Sequence, residues 1–338
     1  VVYLSRTQGV SSSDLRKEKR SLRLGLVGES EILKKVANES QYVNGMQVSG
    51  IYTEDEKSVR DFLSDIHMYE TYDKLLENSD AVYIISSPQR HYHDIRYALE
   101  QGKHVLCESP ITLSEAQCKE LFIIARENHC VLMDAIKTAY ATAYHRMLLL
   151  VKTGIIGNPR SIDATCTSIR SVDMSDPKAM ERSWNSISAW GPTALLPVLQ
   201  IFGTDYNDER IITWMDNEEY HYDAFTKIDF CYPGAVASVK VGQGVKSEGE
   251  LVISGTKGYI YVPAPWWKTE YFEVRFENPE NNRRYFYQLD GEGIRYELVS
   301  FVRSIESGKC MTNVDESISC EVSKTMEKFM NNEIIKIY

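Results

Sequence analysis

One apolar run constrains the fold of this chain more than any other feature of its sequence. The centre of residues 80–86, Asp-Ala-Val-Tyr-Ile-Ile-Ser, is β-branched and apolar without alternation, which is typical of a strand buried on both faces of a parallel sheet. Similar short strands are predicted from Leu22, Met46, His104 and Val131, with helix-compatible segments between them. Alternating strands and helices over about 115 residues predict a doubly wound parallel sheet.

Two helix ends in this region have local signals. The helix predicted over His93–Gln101 stops at Gly102, a typical residue just after a helix. Ser114, followed three residues later by Gln117, predicts a capping box at the start of the next helix.

After Tyr140 the pattern changes to alternating runs separated by turn signals such as Pro233-Gly234 and Asp290-Gly291. These runs, with two helices near the C-terminus, predict an α+β domain whose large, open-faced sheet is mainly antiparallel. The whole chain is therefore expected to be α/β in class, with a doubly wound parallel sheet followed by this second domain. The predicted divisions are a tail or linker over 1–20, a nucleotide-binding domain over 21–138 and a second domain over 139–338.

Composition narrows the possible partners and the cellular compartment. The 48 acidic residues exceed the 38 basic ones, for a net charge of −10, so a nucleic acid partner is not expected. No apolar run is long enough for a membrane span, and no apolar leader segment predicts secretion. The seven cysteines include no C-x-x-C pair, which argues against a metal site and for reduced thiols in a cytoplasmic protein.

Ligands of doubly wound sheets bind at the carboxyl ends of the parallel strands. The first of these ends should show G-x-G-x-x-G if it holds a pyrophosphate, but only Gly28 of that pattern is present. Ser30 has a side chain where the backbone should approach phosphate, and Glu29 and Glu31 add negative charge there. Glu54, at the end of the second strand, is either a ribose ligand or a solvated loop acid.

Three segments resemble the Gfo/Idh/MocA family of oxidoreductases: 80–91, which contains Ser-Ser-Pro and a histidine, 102–110, and 154–160. The resemblance implies an N-terminal Rossmann domain, NAD or NADP as cofactor, and a sugar or polyol, or its phosphate, as substrate. It also implies a homo-oligomer that forms through the C-terminal sheet. The cofactor-binding residues expected from the strand ends and the resemblance are Gly28, Ser30, Ile32, Glu54, Ser86, Ser87, Pro88, His91, Glu108, Ser109 and Pro110. Pro110 is expected to shape the turn under the nicotinamide through a cis bond.

The departures from this family concern proton transfer. The family's Glu-Lys-Pro is Glu-Ser-Pro here, with Ser109 in place of the lysine. Further along the chain, the family has an aspartate and a histidine or tyrosine ring that transfers a proton. Ala189 and Thr193 stand at these two positions here. Oxidation of an alcohol needs a base for the hydroxyl proton, and none of these three side chains can act as one at neutral pH. Impaired or altered catalysis is therefore expected.

Lys137 is the candidate replacement, because it follows the strand Val131–Ile136 and should lie near the crevice. Tyr140, one turn later, is a weaker catalytic candidate. The alternative for Lys137 is a structural role, in which it pairs with Asp134 or Glu108 and holds the joint between the domains. The aromatic pairs Trp266-Trp267 and Tyr271-Phe272 either stack on a sugar ring or cover the sheet or an oligomer contact.

Residues 1–15 are similar to the closing segment of glycerol-3-phosphate cytidylyltransferases, where hydroxyl residues at a helix start help to hold the CTP phosphates. The His-x-Gly-His motif of those enzymes is absent, so this chain alone is not expected to transfer a cytidylyl group. An alternative function follows: a non-catalytic binding or assembly module of a fusion, whose N-terminal part is the cytidylyltransferase domain.

Overall fold

The computed structural model describes residues 21–170 and 172–338. Its first sheet has five parallel strands in the order β2-β1-β3-β4-β5. The strands are β1 Leu22–Gly28, β2 Met46–Tyr52, β3 Ala81–Ile85, β4 His104–Glu108 and β5 Leu132–Ala135. Every residue of β3, the central strand, is buried, as expected for an apolar run without alternation. The prediction of a doubly wound parallel sheet is therefore confirmed.

Five helices connect or flank these strands. They are α1 Ile32–Ser40, α2 Glu56–Arg60, α3 Tyr72–Glu77, α4 Pro88–Glu100 and α5 Glu115–Glu127. Helix α4 begins five residues earlier than predicted, because Pro88 occupies its first position, where a missing N–H is tolerated. It ends just before Gly102, whose φ of 69° matches the predicted helix end.

The capping box predicted at the start of α5 is wrong. Ser114 is the N-cap residue, but its side chain caps no backbone group of the helix. Its hydroxyl instead donates to Glu327 (3.0 Å), and the Glu115 amide donates to the same carboxylate (3.2 Å). Glu327 comes from the C-terminal helix of the second domain, so the acceptor at this helix start comes from a distant part of the chain.

The second sheet has nine strands in the order β13-β12-β11-β10-β6-β9-β8-β7-β14. The strands are β6 Pro159–Thr167, β7 Asp208–Asn217, β8 Tyr222–Tyr232, β9 Ala235–Gly242, β10 Leu251–Gly255, β11 Tyr259–Val262, β12 Tyr271–Arg275, β13 Arg283–Phe286 and β14 Ile335–Ile337. Two of its pairings, β6 with β9 and β7 with β14, are parallel, and the others are antiparallel. The predicted mainly antiparallel sheet is confirmed.

The helices of the second domain include two that the sequence did not reveal. In chain order the helices are α6 Thr142–Lys152, α7 Pro177–Arg182, α8 Ser186–Phe202, α9 Ile294–Ser307 and α10 Glu316–Met330. The two that the sequence did not reveal are α7 and α8. Helix α8 contains Pro192 and Pro197, residues that normally interrupt a helix, yet it packs against β6, β8 and β9 with most of its side chains buried. Tertiary packing outweighs the local preference here.

Ion pairs join the two domains. Arg182 pairs with Asp55 (2.7 Å), and Arg295 pairs with Glu39 (2.9 Å). A third pair, between Lys35 of α1 and Glu292 before α9, has a distance of 3.0 Å. Of the helices in the described ranges, none has the length and apolar character needed to cross a bilayer.

Candidate functional site

A cleft of about 590 Å³ opens at the carboxyl ends of the parallel strands, between the first sheet and the second domain. Its size is within the usual range for small-molecule and cofactor sites. From the predicted set, the residues that line it are Ser30, Ile32, Ser86, Ser87, Glu108, Ser109 and Lys137. The strand ends therefore converge on one site, as expected for a doubly wound sheet.

The turn after β1 requires a glycine at its first position. Gly28 has a φ of 125°, and a Cβ atom there would lie 2.4 Å from the carbonyl oxygen of Ile85. Ser30 lines the cleft, and its Oγ accepts a hydrogen bond from the Ile32 amide (3.3 Å) at the start of α1. One of the first N–H groups of that helix thus donates its hydrogen bond to the Ser30 hydroxyl.

The two acids of this turn are placed differently. Glu29 lines the cleft, but its carboxylate accepts from the Thr53 hydroxyl and the Glu54 amide, both at 3.3 Å. Glu31 is exposed and is not among the residues that line the cleft. Glu54, just after β2, does not line the cleft. Its side chain is exposed and pairs with Arg90 (2.6 Å), as expected for a solvated loop acid.

His91 lies beneath the cleft wall and joins two strand ends. It is fully buried, with Nδ1 2.8 Å from the carbonyl oxygen of Pro110 and Nε2 2.9 Å from that of Ser86. Burial lowers the pKa of His91, and the two carbonyl contacts oppose that effect only in part. The Ser109–Pro110 peptide bond is cis, as predicted. Pro88 starts α4 and does not line the cleft.

Lys137 lines the cleft, with 24% of its side chain exposed. Its ammonium group lies 3.4 Å from the carboxylate of Glu292, and neither Asp134 nor Glu108 is its hydrogen-bond partner. Tyr140, the second catalytic candidate, is not brought to the cleft. It is buried, its hydroxyl contacts that of Thr312 (3.0 Å), and burial raises its pKa.

Three buried acids lie near this end of the parallel sheet: Glu108 and Glu297, on which the charge of Lys137 acts, and Asp134 of β5. Glu108 accepts from the Tyr83 hydroxyl (2.5 Å), and Asp134 accepts from the Ser319 hydroxyl (2.7 Å). Glu297 is 1% exposed, and its Oε2 has no hydrogen-bond partner within the described residues.

Burial raises the pKa of all three carboxyl groups, that of Asp134 to about 7. The charge of Lys137 opposes this shift at Glu108 and Glu297. We refer to Glu108, Asp134 and Glu297 as the acid cluster; burial favours the protonated form of each carboxyl group.

Asp134→Asn is expected to flatten the pH dependence of stability. Because the pKa of Asp134 is higher in the folded state than in the unfolded state, stability falls as pH rises from about 4 to about 7. Removing this titration should leave the variant more stable than the wild type at pH 8, by on the order of 4 kcal/mol. Urea unfolding between pH 4 and 8 measures the effect, and an unchanged slope would contradict it. Asp223→Asn is a second case away from the cleft: burial raises that pKa to about 6, so the variant should flatten the profile in the same direction by a smaller amount.

Glu292 is a site residue that the sequence reasoning missed. Its carboxylate contacts three ammonium groups, those of Lys268 (2.7 Å), Lys35 (3.0 Å) and Lys137 (3.4 Å). Burial alone would raise its pKa, but the hydrogen bonds from Lys268 and Lys35 and the charge of Lys137 lower it to about 2. We refer to these four residues as the Glu292 cluster.

The backbone that presents Glu292 is left-handed. Gly291, Glu292 and Gly293 have φ values of 56°, 55° and 94°. A Cβ atom at Gly293 would lie 2.7 Å from the carbonyl oxygen of Lys137, so the turn packs directly on the strand end that supplies the lysine. The glycines flanking Glu292 were the available signal, but they indicated only a turn.

Three tryptophans, Trp184, Trp190 and Trp267, form the aromatic part of the cleft lining. The rings of Trp190 and Trp267 have centroids 4.9 Å apart. The neighbouring Trp266 is fully buried, and its indole N–H donates to the carbonyl of Thr165 (3.0 Å). Trp266 thus belongs to the core, whereas Trp267 lines the cleft.

Ala189 and Thr193, on consecutive turns of α8, also line the cleft, so no acid or ring occupies those positions. Within residues 21–170 and 172–338, no group of histidine, cysteine and acidic side chains is arranged to hold a metal ion. The predicted cytidylyltransferase-like segment lies outside the described residues.

Comparison with known proteins agrees with this geometry. Residues 22–135 match the Gfo/Idh/MocA oxidoreductase family model for its NAD-binding Rossmann fold. Trans-1,2-dihydrobenzene-1,2-diol dehydrogenase from Xenopus laevis is 26% identical over 273 residues, 74% of this chain and 78% of that protein. A dTDP-3,4-didehydro-2,6-dideoxy-α-D-glucose 3-reductase from Streptomyces violaceoruber is 39% identical over 100 residues, 29% of each chain.

The structure of the 3-ketoreductase KijD10 from Actinomadura kijaniata, in complex with NADP and TDP-benzene, is similar to the whole fold. Its TM-score is 0.81 at 18% identity, and the match covers 94% of this chain and 99% of that one. The expected fold is therefore confirmed over both domains, and the first domain is of the expected NAD-binding type.

Proposed function

We propose that this chain, whose first domain is the NAD-binding Rossmann domain of the Gfo/Idh/MocA oxidoreductase family, is an NAD(P)-dependent oxidoreductase of a sugar or polyol. The observation that carries the proposal is the position of Lys137 in the cleft at the strand ends, beside the acid cluster. A basic group there meets the need for proton transfer that Ser109, Ala189 and Thr193 do not meet.

The residues present fit a dinucleotide. Gly28 leaves room where a side chain would collide with β3, and the carboxylate of Glu29 is held by the end of β2. The turn after β1 would hold the pyrophosphate, and Ser86, Ser87 and the turn at Ser109 would hold the nicotinamide half. When bound, the nicotinamide ring supplies or accepts the hydride.

Lys137 is the proposed proton-transfer group: its ammonium form would donate a proton to the substrate carbonyl oxygen in reduction, and its neutral amine form would accept the hydroxyl proton in oxidation. Glu292 orients its ammonium group from the second domain, and the acid cluster lies beneath it. Trp267 and Trp190 offer an apolar surface for the sugar or polyol. In this proposal the proton-transfer group follows β5, whereas the family's usual lysine corresponds to Ser109, after β4.

Cofactor binding is the first test. Calorimetry on the full chain should give a dissociation constant for NADH or NADPH of about 1 μM, or roughly −8 kcal/mol. Gly28→Ala should weaken binding by about 100-fold, because the added Cβ displaces the turn, whereas Ser30→Gly should retain or tighten it. Gly102→Ala is the matched control, since its φ is also positive but a Cβ there meets nothing within 4 Å. An absence of binding at millimolar cofactor would overturn the proposal.

A second candidate is a binding or assembly module without turnover, which Ser109, Ala189 and Thr193 favour. Exposed apolar side chains on the second sheet, Phe286 at 72% and Val236 at 51%, support a homo-oligomer through that face. Cofactor binding without turnover of any sugar or polyol, together with an oligomer in sedimentation experiments, would favour this alternative. The fusion with a cytidylyltransferase depends on finding a His-x-Gly-His segment upstream of Val1 in the coding sequence.

A further inference from the structure

We infer that Lys137 and Lys268 form a subsite for an anionic group of the substrate, a phosphate or a carboxylate, and that Glu292 occupies this subsite when the substrate is absent. The inference names the substrate class of the proposed function and rests on it, because the anionic molecule is the one oxidised or reduced. Its test is separable, since binding of the anionic group needs neither cofactor nor turnover.

The charge of the cleft is opposite in sign to that of the chain. Five basic side chains line the cleft, against three acidic ones, in a protein with a net charge of −10. The basic residues are Lys35, Lys137, Lys268, Arg170 and Arg182, and the acidic residues are Glu29, Glu108 and Glu292. Arg182 is paired with Asp55 outside the lining, which leaves four basic charges against three. A local excess of positive charge inside a cleft attracts an anion in preference to a neutral ligand.

Most of the excess positive charge of the cleft lies in the Glu292 cluster. One carboxylate faces three ammonium groups within 3.4 Å, so it balances only part of their charge. A phosphate dianion or a second carboxylate would bring further oxygen acceptors to ammonium groups that each have three donors. The cluster is therefore suited to a ligand more negative than Glu292 itself.

The neighbouring groups suggest how the rest of such a ligand would lie. Lys268 follows Trp267 in the same helical turn, so the ammonium group and the aromatic surface come from adjacent residues. Trp190 extends that surface from α8. A sugar or polyol bearing an anionic group can therefore place its carbon chain on the tryptophans and its charge at Lys268, with Lys137 between them and the nicotinamide side.

Glu292 has the properties of an exchangeable occupant. Its side chain is 30% exposed at the cleft and its three described ion-pair partners are lysines. It comes from a short left-handed turn and not from a strand or helix of either core. An incoming anion can take over the contacts to Lys137 and Lys268 while Glu292 keeps its contact with Lys35.

The experiment titrates the full chain with inorganic phosphate, and in parallel with acetate, by calorimetry at low ionic strength. Glu292→Gln should tighten binding of the preferred anion at least fivefold, because it removes the competing carboxylate. Lys268→Met should weaken the same binding at least tenfold. The matched controls are Lys336→Met and Glu218→Gln, which break an ion pair of 2.9 Å outside the cleft and should change nothing.

Two results would overturn the inference: equal anion affinity in the wild type and both cluster variants, or complete displacement of the anion by saturating NADPH. The second result would assign the lysines to the cofactor phosphates. Phosphate binding that survives NADPH supports a phosphorylated substrate, and acetate binding under the same conditions supports a carboxylate. Because the titration is also done without cofactor, a chain that fails to bind NAD(P) would refute the proposed function and still leave the anion subsite measurable.

Discussion

Replacing Lys137 with methionine should lower kcat on a sugar or polyol substrate by about 10²- to 10⁴-fold. Methionine fills a similar volume but cannot accept the hydroxyl proton, so the loss should appear in kcat and not in cofactor binding. Steady-state kinetics with the best substrate from a sugar and polyol panel, over pH 6 to 10, measures the effect.

Two further variants separate a base from a structural lysine. Lys137→Arg keeps the positive charge and the pairing with Glu292, yet arginine stays protonated in proteins, so kcat should remain low. Lys268→Met removes another member of the Glu292 cluster and should act mainly on KM. If Lys137→Arg restored kcat to within tenfold of the wild type, the lysine would be a structural partner and the proposed base would be wrong.

The largest loss of stability is expected for Trp266→Ala, about 3–5 kcal/mol. Trp266 is fully buried beneath the second sheet, and its removal leaves a cavity and an unpaired carbonyl at Thr165. Chemical denaturation of the wild type and the variant gives the difference. Trp267→Ala is the natural control: it should cost much less stability and should weaken substrate binding, because that ring lines the cleft. Equal destabilisation by the two substitutions would contradict the division of roles.

The sequence was most informative where local pattern and tertiary structure agree. The apolar run of β3 and the alternating runs of β8 and β9 gave strands close to their observed limits, because each run reflects burial on two faces or on one. Helix α8 was missed because Pro192 argues locally against a helix, while the packing that outweighs this preference comes from strands far along the chain. The capping box was predicted wrongly for the same reason: the acceptor for the Ser114 hydroxyl is Glu327, which is more than 200 residues away in the sequence.

The candidate site shows the same limit. Residues at strand ends, such as Ser86, Glu108 and Lys137, were predictable because the topology of a doubly wound sheet brings them to one edge. Glu292 was not, because its contact with Lys137 spans 155 positions and depends on a left-handed turn between two glycines. Tyr140 was placed one turn after the strand correctly, but its side chain points into the core at Thr312.

The ion pairs that join the two domains make the cleft sensitive to ionic strength. All three pairs are partly exposed: Arg182–Asp55, Arg295–Glu39 and Lys35–Glu292. The Debye length, the distance over which exposed charges still interact, falls from about 8 Å at physiological ionic strength to about 3 Å at 1 M salt. One hydrophobic core runs through both domains, from Leu24 of β1 to Phe301 of α9 and Phe329 of α10, and does not depend on this screening. Added salt should therefore weaken the charged contacts at the cleft while the apolar contacts keep the domains together. The choice of buffer thus becomes a variable of the cleft itself: concentrated salt or phosphate changes the charged contacts that border it.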